Sequence, residues 1–257
     1  MTFKRNIKPA EVHLTISNLE MKYGDFLIQK DLNFKINRGD IFIIMGGSGC
    51  GKSTLLKHLI GLYNPTAGSI HYENTDLWGI SHEERQKLLQ NVGVLYQAGA
   101  LWSSLTLAEN ISVPLQEYTD FSPSEQREIA SLKLALVGLA GFEDFYPAEI
   151  SGGMCKRAGL ARAMALDPDI LFFDEPSAGL DPISAKLLDD LILELSGALG
   201  TTVVIVTHEL ASIFAIGNNS VFLDPETKTM LATGNPVDLR DHSPDMRVRR
   251  FLARGEI

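Results

Sequence analysis

The sequence predicts an α/β fold in which a mainly parallel sheet carries helices on both faces. In its second half an apolar run (Ile170–Phe173) is followed by a helical stretch (Pro182–Leu199) and then a second apolar run (Thr201–Val206). Nearer the start, residues 41–45 form a wholly apolar run, which is typical of a strand buried on both faces. Glycines and a helix-like stretch from Lys52 follow that run, so a strand, a glycine-rich loop and a helix succeed one another.

The first third of the chain predicts half-buried strands, because apolar and polar residues alternate there. The middle predicts helices: Thr106 with Glu109, and Ser122 with Glu125, fit the capping-box pattern. We therefore predict a single domain. Residues 1–97 and 158–257 form its core, and residues 98–157 form a helical lobe that is inserted into this core. The alternating apolar positions of the first strands are Val12, Leu14 and Ile16, then Leu32, Phe34 and Ile36.

Composition and charge exclude several classes of protein. The net charge of −9 argues against a non-specific nucleic-acid binder and against a free membrane-surface binder, since phosphates and anionic headgroups would be repelled. Met1 to Lys22 lacks the apolar stretch of a signal peptide, and the longest apolar runs are too short to span a bilayer. The two cysteines lack the spacing of a metal site and fit a reducing cytosol.

The glycine-rich loop fits the phosphate-binding pattern G-x-x-x-x-G-K-[ST], which arises by chance in roughly 1% of chains of this length. Its glycines allow backbone N–H groups to turn towards phosphates. Lys52 is expected to reach the β- and γ-phosphates of ATP, and the Ser53 hydroxyl to bind Mg²⁺. We also expect the positive end of the following helix to lower the pKa of the Cys50 thiol and make it reactive. The predicted contacts are Gly46, Gly47, Ser48, Gly49, Cys50, Gly51, Lys52, Ser53 and Thr54.

Two carboxylates follow the apolar run that ends at Phe173. Ligands of open α/β sheets bind at the carboxyl ends of the strands, where these side chains belong. Asp174 is expected to hold magnesium through water, and Glu175 to act as the general base on the attacking water. The sequence therefore predicts ATP hydrolysis as well as ATP binding.

A second anion cradle is predicted at Ser151, Gly152 and Gly153, directly before an Ala- and Arg-rich helix. One nucleotide does not need two cradles for its γ-phosphate, so the two cradles are expected to serve different nucleotides. With this feature the motifs resemble the ATP-binding cassette (ABC) family over essentially the whole chain. In that family the signature motif of one subunit closes over the ATP held by another.

The resemblance implies a P-loop NTPase core of the ABC type, with an N-terminal antiparallel β subdomain and an inserted α-helical subdomain. It also implies roles for four further residues. Tyr23 would stack on adenine, and Gln97 would contact magnesium and the lytic water. Asp181 would face the partner subunit, and His208 would contact the γ-phosphate. The signature departs from the family pattern at two positions, Ile150 and Met154.

Within the family, the segments Gln97–Trp102 and Leu107–Leu115 are similar to the Mla and Mce branch, ATPases of bacterial phospholipid or sterol transporters. That implies two copies driving a permease dimer of the inner membrane, with an Mce-domain substrate-binding protein and in some systems a STAS-domain protein. The chain would then be held at the cytoplasmic face through the permease. Leu101 and Trp102 are the predicted permease contacts.

The arginine-rich ending suggests a further contact. Because arginines flank an apolar pair, Phe251 and Leu252, we hypothesise that this pair docks on a neighbouring subunit, although a solvated helix is the simpler explanation of the charges. The charged residues are Arg247, Arg249, Arg250 and Arg254.

Two alternative functions stay open. The chain fits an ATPase of another ABC importer or exporter, for lipoproteins, amino acids or metals. A soluble ABC ATPase of DNA repair or translation is disfavoured, because the chain has one cassette and no coiled-coil or zinc insertion. A P-loop kinase or GTPase is excluded, since neither needs the cradle at Ser151 or His208.

Overall fold

A computed structural model describes residues 11–97 and 99–253. Within those residues the main sheet has six strands, of which five run parallel. The sixth pairs antiparallel at one edge. In spatial order the strands are β10 (Thr229–Thr233), β9 (Asn219–Asp224), β3 (Ile41–Gly46), β8 (Thr202–Val206), β7 (Ile170–Asp174) and β6 (Val92–Leu95).

A second sheet is wholly antiparallel, as the resemblance implied. Its inward side chains form one apolar cluster with helix α1 (Lys52–Leu59) and one face of the main sheet. The rings of Phe34 and Phe42 stack across this cluster at 5.4 Å. The phosphate-loop helix is therefore buried between the two sheets. The strands of the second sheet are β2 (Phe26–Asn37), β1 (Val12–Tyr23), β4 (Ala67–Tyr72) and β5 (Thr75–Asp76).

Eight further α-helices follow α1 in the described residues. They are α2 (His82–Leu89), α3 (Leu107–Tyr118), α4 (Pro123–Leu136), α5 (Gly152–Ala163), α6 (Pro182–Leu199), α7 (Leu210–Ile216), α8 (Pro236–His242) and α9 (Met246–Leu252). All except α2 contribute to a second apolar cluster, on the opposite face of the main sheet.

The helical lobe is formed by α3, α4 and the start of α5. Both predicted capping boxes are confirmed. The hydroxyls of Thr106 and Ser122 each accept a hydrogen bond from the backbone N–H of the glutamate three residues later, and that glutamate's carboxylate accepts one from the backbone N–H of the capping residue. Buried Leu107, Ile111 and Leu134 lie in the same cluster as the side chains of the main sheet. The lobe and the sheet therefore share one continuous apolar core.

The C-terminal helix α9 corrects the hypothesis about the tail for Leu252. Leu252 is 1% exposed and belongs to the chain's own core, and the ring of Phe251 packs edge-on against Phe222 at 5.1 Å. Arg247 donates a hydrogen bond of 2.9 Å from Nη1 to Oδ2 of the buried Asp224. Leu252 is thus used within the chain's own core, whereas Phe251 is only partly buried, and Arg254 lies outside the described residues.

Among residues 11–97 and 99–253, none of the helices has the length and apolar character needed to cross a membrane.

Candidate functional site

A cavity of about 790 Å³ lies at the carboxyl end of the main sheet, where β3 and β7 end. Its volume is in the range of small-molecule and cofactor sites. Twelve of the residues predicted from the sequence line it: Tyr23, Gly46, Gly47, Ser48, Gly49, Gly51, Lys52, Ser53, Thr54, Gln97, Glu175 and His208.

Two glycines of the loop are required by packing as well as by backbone conformation. Gly46 has a φ of 148°, and a Cβ there would lie 2.3 Å from the carbonyl oxygen of Leu223. Gly51 has a φ of 95°, and a Cβ there would lie 2.6 Å from Cγ2 of Ile28. A larger residue at Gly46 would meet the backbone of β9, and one at Gly51 would meet the Ile28 side chain of β2, so the loop packs closely on both sides.

The polar groups of the loop converge on the cavity. The Lys52 ammonium donates to the carbonyl oxygens of Gly46 at 3.0 Å and Gly47 at 3.1 Å, so it lies across the start of the loop. The Ser53 hydroxyl donates to Oδ1 of Asp174 at 2.9 Å. Asp174 does not itself line the cavity and is connected to it through this contact. A hydroxyl and a carboxylate in contact are oxygen ligands of the kind that Mg²⁺ prefers.

Glu175 occupies a left-handed backbone conformation with a φ of 49°, which is uncommon for a residue with a side chain. Its backbone N–H donates to the carbonyl oxygen of Val206 at 2.8 Å, which fixes the turn at the end of β7. Its Oε1 lies 2.9 Å from Nδ1 of His208, and its Oε2 is buried without a hydrogen-bond partner among the described residues. The carboxylate is therefore held at one oxygen.

The thiol of Cys50 does not line the cavity, and the expectation of a reactive thiol is wrong. Its side chain is 1% exposed, and burial raises the pKa of the thiol. The positive charge of Lys52 lowers that pKa, but by less than burial raises it. Burial is the largest effect on the pKa because the side chain is packed in the apolar cluster beneath the loop.

The loop that carries Gln97 is held by helix α5. Lys156 donates to the carbonyl oxygen of Gln97, while Arg162 donates to those of Ala100 at 2.7 Å and Gly99 at 3.2 Å. Burial lowers the pKa of the Lys156 amine, and the charge of Glu175 partly offsets that effect. Three backbone carbonyls of this loop are thus bound by two cations of one helix.

The signature residues and Asp181 are not among the residues that line the cavity. The Ser151 hydroxyl caps α5 by accepting from the backbone N–H of Met154 at 3.2 Å. Asp181 caps α6 by accepting from the backbone N–H groups of Ile183 and Ser184, both at 3.0 Å. The hydrogen bond from the Ser184 hydroxyl lowers the pKa of Asp181. Ser151 and Gly152 are exposed, and Gly153 lies close to Ser184.

Four apolar residues of the cavity lining were missed by the sequence reasoning. Phe26 and Ile28 come from β2, Leu210 follows His208, and Phe251 comes from α9. Nothing in the local pattern marks Phe251 as part of this site, because it lies far from the loop along the chain. Phe26 directly follows the turn after Tyr23, and that proximity is the signal that could have identified it.

A second cavity, of about 530 Å³, lies between the helical lobe and the core. Its walls include Val113, Pro114 and Tyr118, from the second half of α3, and Arg162 of α5. The predicted permease contacts Leu101 and Trp102 do not line it. Trp102 is nevertheless well exposed, at 59%.

The chain is similar to known proteins over most of its length. The sequence pattern of the family described as "ABC transporter" matches residues 29–178, which is more than half of the chain. The probable ribonucleotide transport ATP-binding protein mkl of Mycobacterium tuberculosis is 40% identical over 244 residues, covering 95% of this chain and 67% of mkl.

Two further similarities extend over nearly the full length of the matched proteins. The intermembrane phospholipid transport system ATP-binding protein MlaF of Haemophilus influenzae is 38% identical over 243 residues, covering 95% of this chain and 90% of MlaF. The dimeric post-hydrolysis structure of the ATP-binding cassette MJ0796, bound to ADP and phosphate, superposes with a TM-score of 0.77 at 29% identity. That match covers 86% of this chain and 98% of the other.

Proposed function

This chain belongs to the ABC transporter family and is an ATP-binding, ATP-hydrolysing subunit, and we propose that its transporter carries phospholipid between the membranes of a bacterial envelope. The observation that carries the proposal is the 38% identity to MlaF over 90% of that protein. A fold alone does not identify cargo, so the cargo is proposed from this relative.

For hydrolysis we propose that Glu175 is the general base. Its carboxylate lies in the cavity and is oriented by His208, and general-base catalysis contributes about 10²- to 10⁴-fold. Lys52 would hold the β- and γ-phosphates, and His208 would contact the γ-phosphate. Tyr23, which also lines the cavity, would stack on adenine.

The proposed magnesium ligands fit the residues that the structure brings together. Ser53 and Asp174 supply a hydroxyl and a carboxylate that are already in contact, and Gln97 lines the same cavity. Mg²⁺ typically takes one or two protein ligands and completes its shell with phosphate and water, neutralising the charge of the phosphates.

We propose that the second half of each site comes from another copy of the chain. Ser151 and Gly152 are exposed and stand apart from the chain's own cavity, as the dimeric arrangement requires. The N-terminus of α5 would present them to the γ-phosphate held by the partner. Asp181 would lie at the same interface.

The membrane partner is proposed to be a permease dimer that holds the chain at the cytoplasmic face of the inner membrane. The groove between lobe and core is lined by apolar side chains such as Val113 and Tyr118, which suits a helix of a permease. An Mce-domain substrate-binding protein, and in some systems a STAS-domain protein, would complete the assembly.

Ribonucleotide transport is the second candidate, because mkl is 40% identical to this chain. The chain spans a smaller share of mkl than of MlaF, 67% against 90%, which favours phospholipid. Both candidates use the same ATPase site and differ only in cargo.

The test is transport by the reconstituted complex. The chain is coexpressed with the membrane proteins encoded beside its gene, and the purified complex is placed in vesicles with a fluorescent phospholipid or a labelled ribonucleotide. ATP-dependent transfer of the phospholipid, lost in the Glu175→Gln variant, is the expected result. Movement of the ribonucleotide alone would replace the proposal by the second candidate.

A further inference from the structure

A buried glutamine joins the phosphate-binding loop to the end of strand β9 in the main sheet. Gln29 of β2 is 0% exposed, and its single Nε2 donates to two backbone carbonyl oxygens. The acceptors are Cys50 in the loop, at 2.8 Å, and Asp224 at the end of β9, at 3.0 Å. Because both acceptors are carbonyls, only the amide nitrogen of Gln29 can make these bonds.

The bond to Cys50 also fixes the direction of the next N–H group. In a planar trans peptide the C=O and the N–H point to opposite sides. Gln29 draws the carbonyl of Cys50 towards β2, so the N–H of Gly51 points away from β2. Gly51 lines the cavity, and its N–H is one of the groups that the loop pattern assigns to phosphate.

Asp224, the second residue that Gln29 contacts, is held in place by hydrogen bonds of its own. Oδ2 of Asp224 accepts hydrogen bonds from the backbone N–H of Thr227 and from Nη1 of Arg247, both at 2.9 Å. Gln29 therefore connects the loop to Asp224, whose carboxylate is bound by Arg247 of the C-terminal helix α9.

We infer that Gln29 is a positioning residue for nucleotide binding, which orients the Gly51 peptide towards the phosphates. The inference rests on the proposed assignment of the loop as the ATP site. A purely structural role is the competing explanation, since Gln29 also satisfies two carbonyls that would otherwise lack this donor.

A matched glutamine separates the two explanations. Gln126 in the helical lobe is 7% exposed, and its Nε2 donates to the carbonyl oxygen of Phe121 at 2.7 Å. It makes the same kind of bond, but its acceptor lies in the helical lobe and not in the phosphate-binding loop. Substitution by methionine removes the amide at either position and nearly preserves side-chain size.

The experiment compares Gln29→Met, Gln126→Met and Lys52→Ala in the full-length chain. Thermal unfolding gives Tm, and competition against a fluorescent ATP analogue gives the Kd for ATP. Both methionine variants are expected to lower Tm. Only Gln29→Met is expected to raise the Kd, by about tenfold, the order expected for losing one buried hydrogen bond.

An unchanged Kd in Gln29→Met, or an equal rise in Gln126→Met, would overturn the inference. If Gln29→Met does not fold, Gln29→Asn is measured by the same criterion, because its shorter amide cannot reach both carbonyls. An unchanged Kd in Lys52→Ala would instead overturn the loop assignment itself.

Discussion

Nδ1 of His208 lies 2.9 Å from Oε1 of Glu175, which joins the segment after β8 to the end of β7 across the cavity. Because a carboxylate only accepts, this contact is made by the N–H of the imidazole at Nδ1. Nε2 then remains for other partners, and it lies 3.7 Å from Oε1 of Glu209.

Replacing Glu175 by glutamine should stop turnover without preventing ATP binding. Glutamine keeps the size of the side chain but cannot accept a proton from water, so the turnover rate should fall by at least about 100-fold. Phosphate release measures the rate, and gel filtration with ATP detects the ATP-bound dimer. Turnover at the wild-type rate would contradict the general-base role.

A mixed dimer should recover one working site from two inactive chains. Lys52→Ala damages the loop half of a site, and Ser151→Arg damages the cradle half. In a dimer of one chain of each kind, both lesions fall in the same site and the other site is intact. The measurement compares the ATPase activity of purified mixed dimers with that of each mutant homodimer, and only the mixed dimers are expected to be active. Inactive mixed dimers would contradict a site shared between two chains.

The thiol of Cys50 should resist modification in the folded chain. Burial excludes reagents and raises the pKa of the thiol, so little thiolate forms near neutral pH. Mass spectrometry after timed alkylation should show Cys155, which is only partly buried, labelled first. Faster labelling of Cys50 would show that the loop opens readily.

Truncating Leu252 should destabilise the chain by about 2–5 kcal/mol, because Leu252→Ala leaves a cavity in the core. Met246 lies on the same helix but is 56% exposed, so Met246→Ala serves as the control and should change stability little. Urea unfolding measures both. Equal effects would contradict the packing of α9.

Stability should decrease below about pH 6.5 through two buried histidines. Burial lowers the pKa of His13 and of His58 below the usual 6.5, so the unfolded chain takes up protons first. Their contribution is complete above about pH 6.5 and is lost as the pH falls towards the folded values. A scan of Tm against pH, with His13→Gln as the comparison, should show a shallower slope in the variant. Identical slopes would mean that His13 is protonated equally easily in both states.

Local patterns predicted much of the fold. The capping boxes at Thr106 and Ser122 and the helix from Pro182 to Leu199 follow from short spacings, and the structure has them at those positions. The antiparallel arrangement of the first strands required the family resemblance, since alternation alone does not define strand pairing.

The sequence could not predict contacts between distant parts of the chain. Gln29 and Asp224 are 195 positions apart, and Phe251 reaches the cavity only because α9 folds back on β9. The error about Cys50 has the same origin, because burial, the largest effect on the pKa of its thiol, depends on packing by the second sheet.

Helix α5 binds the Gln97 loop by donating hydrogen bonds to backbone carbonyl oxygens of the loop. Every amino acid provides such a carbonyl. Substitutions at Ala100 or Leu101 that preserve the backbone conformation therefore leave these hydrogen bonds unchanged. The side chains of this loop can therefore vary while its three hydrogen bonds to α5 remain.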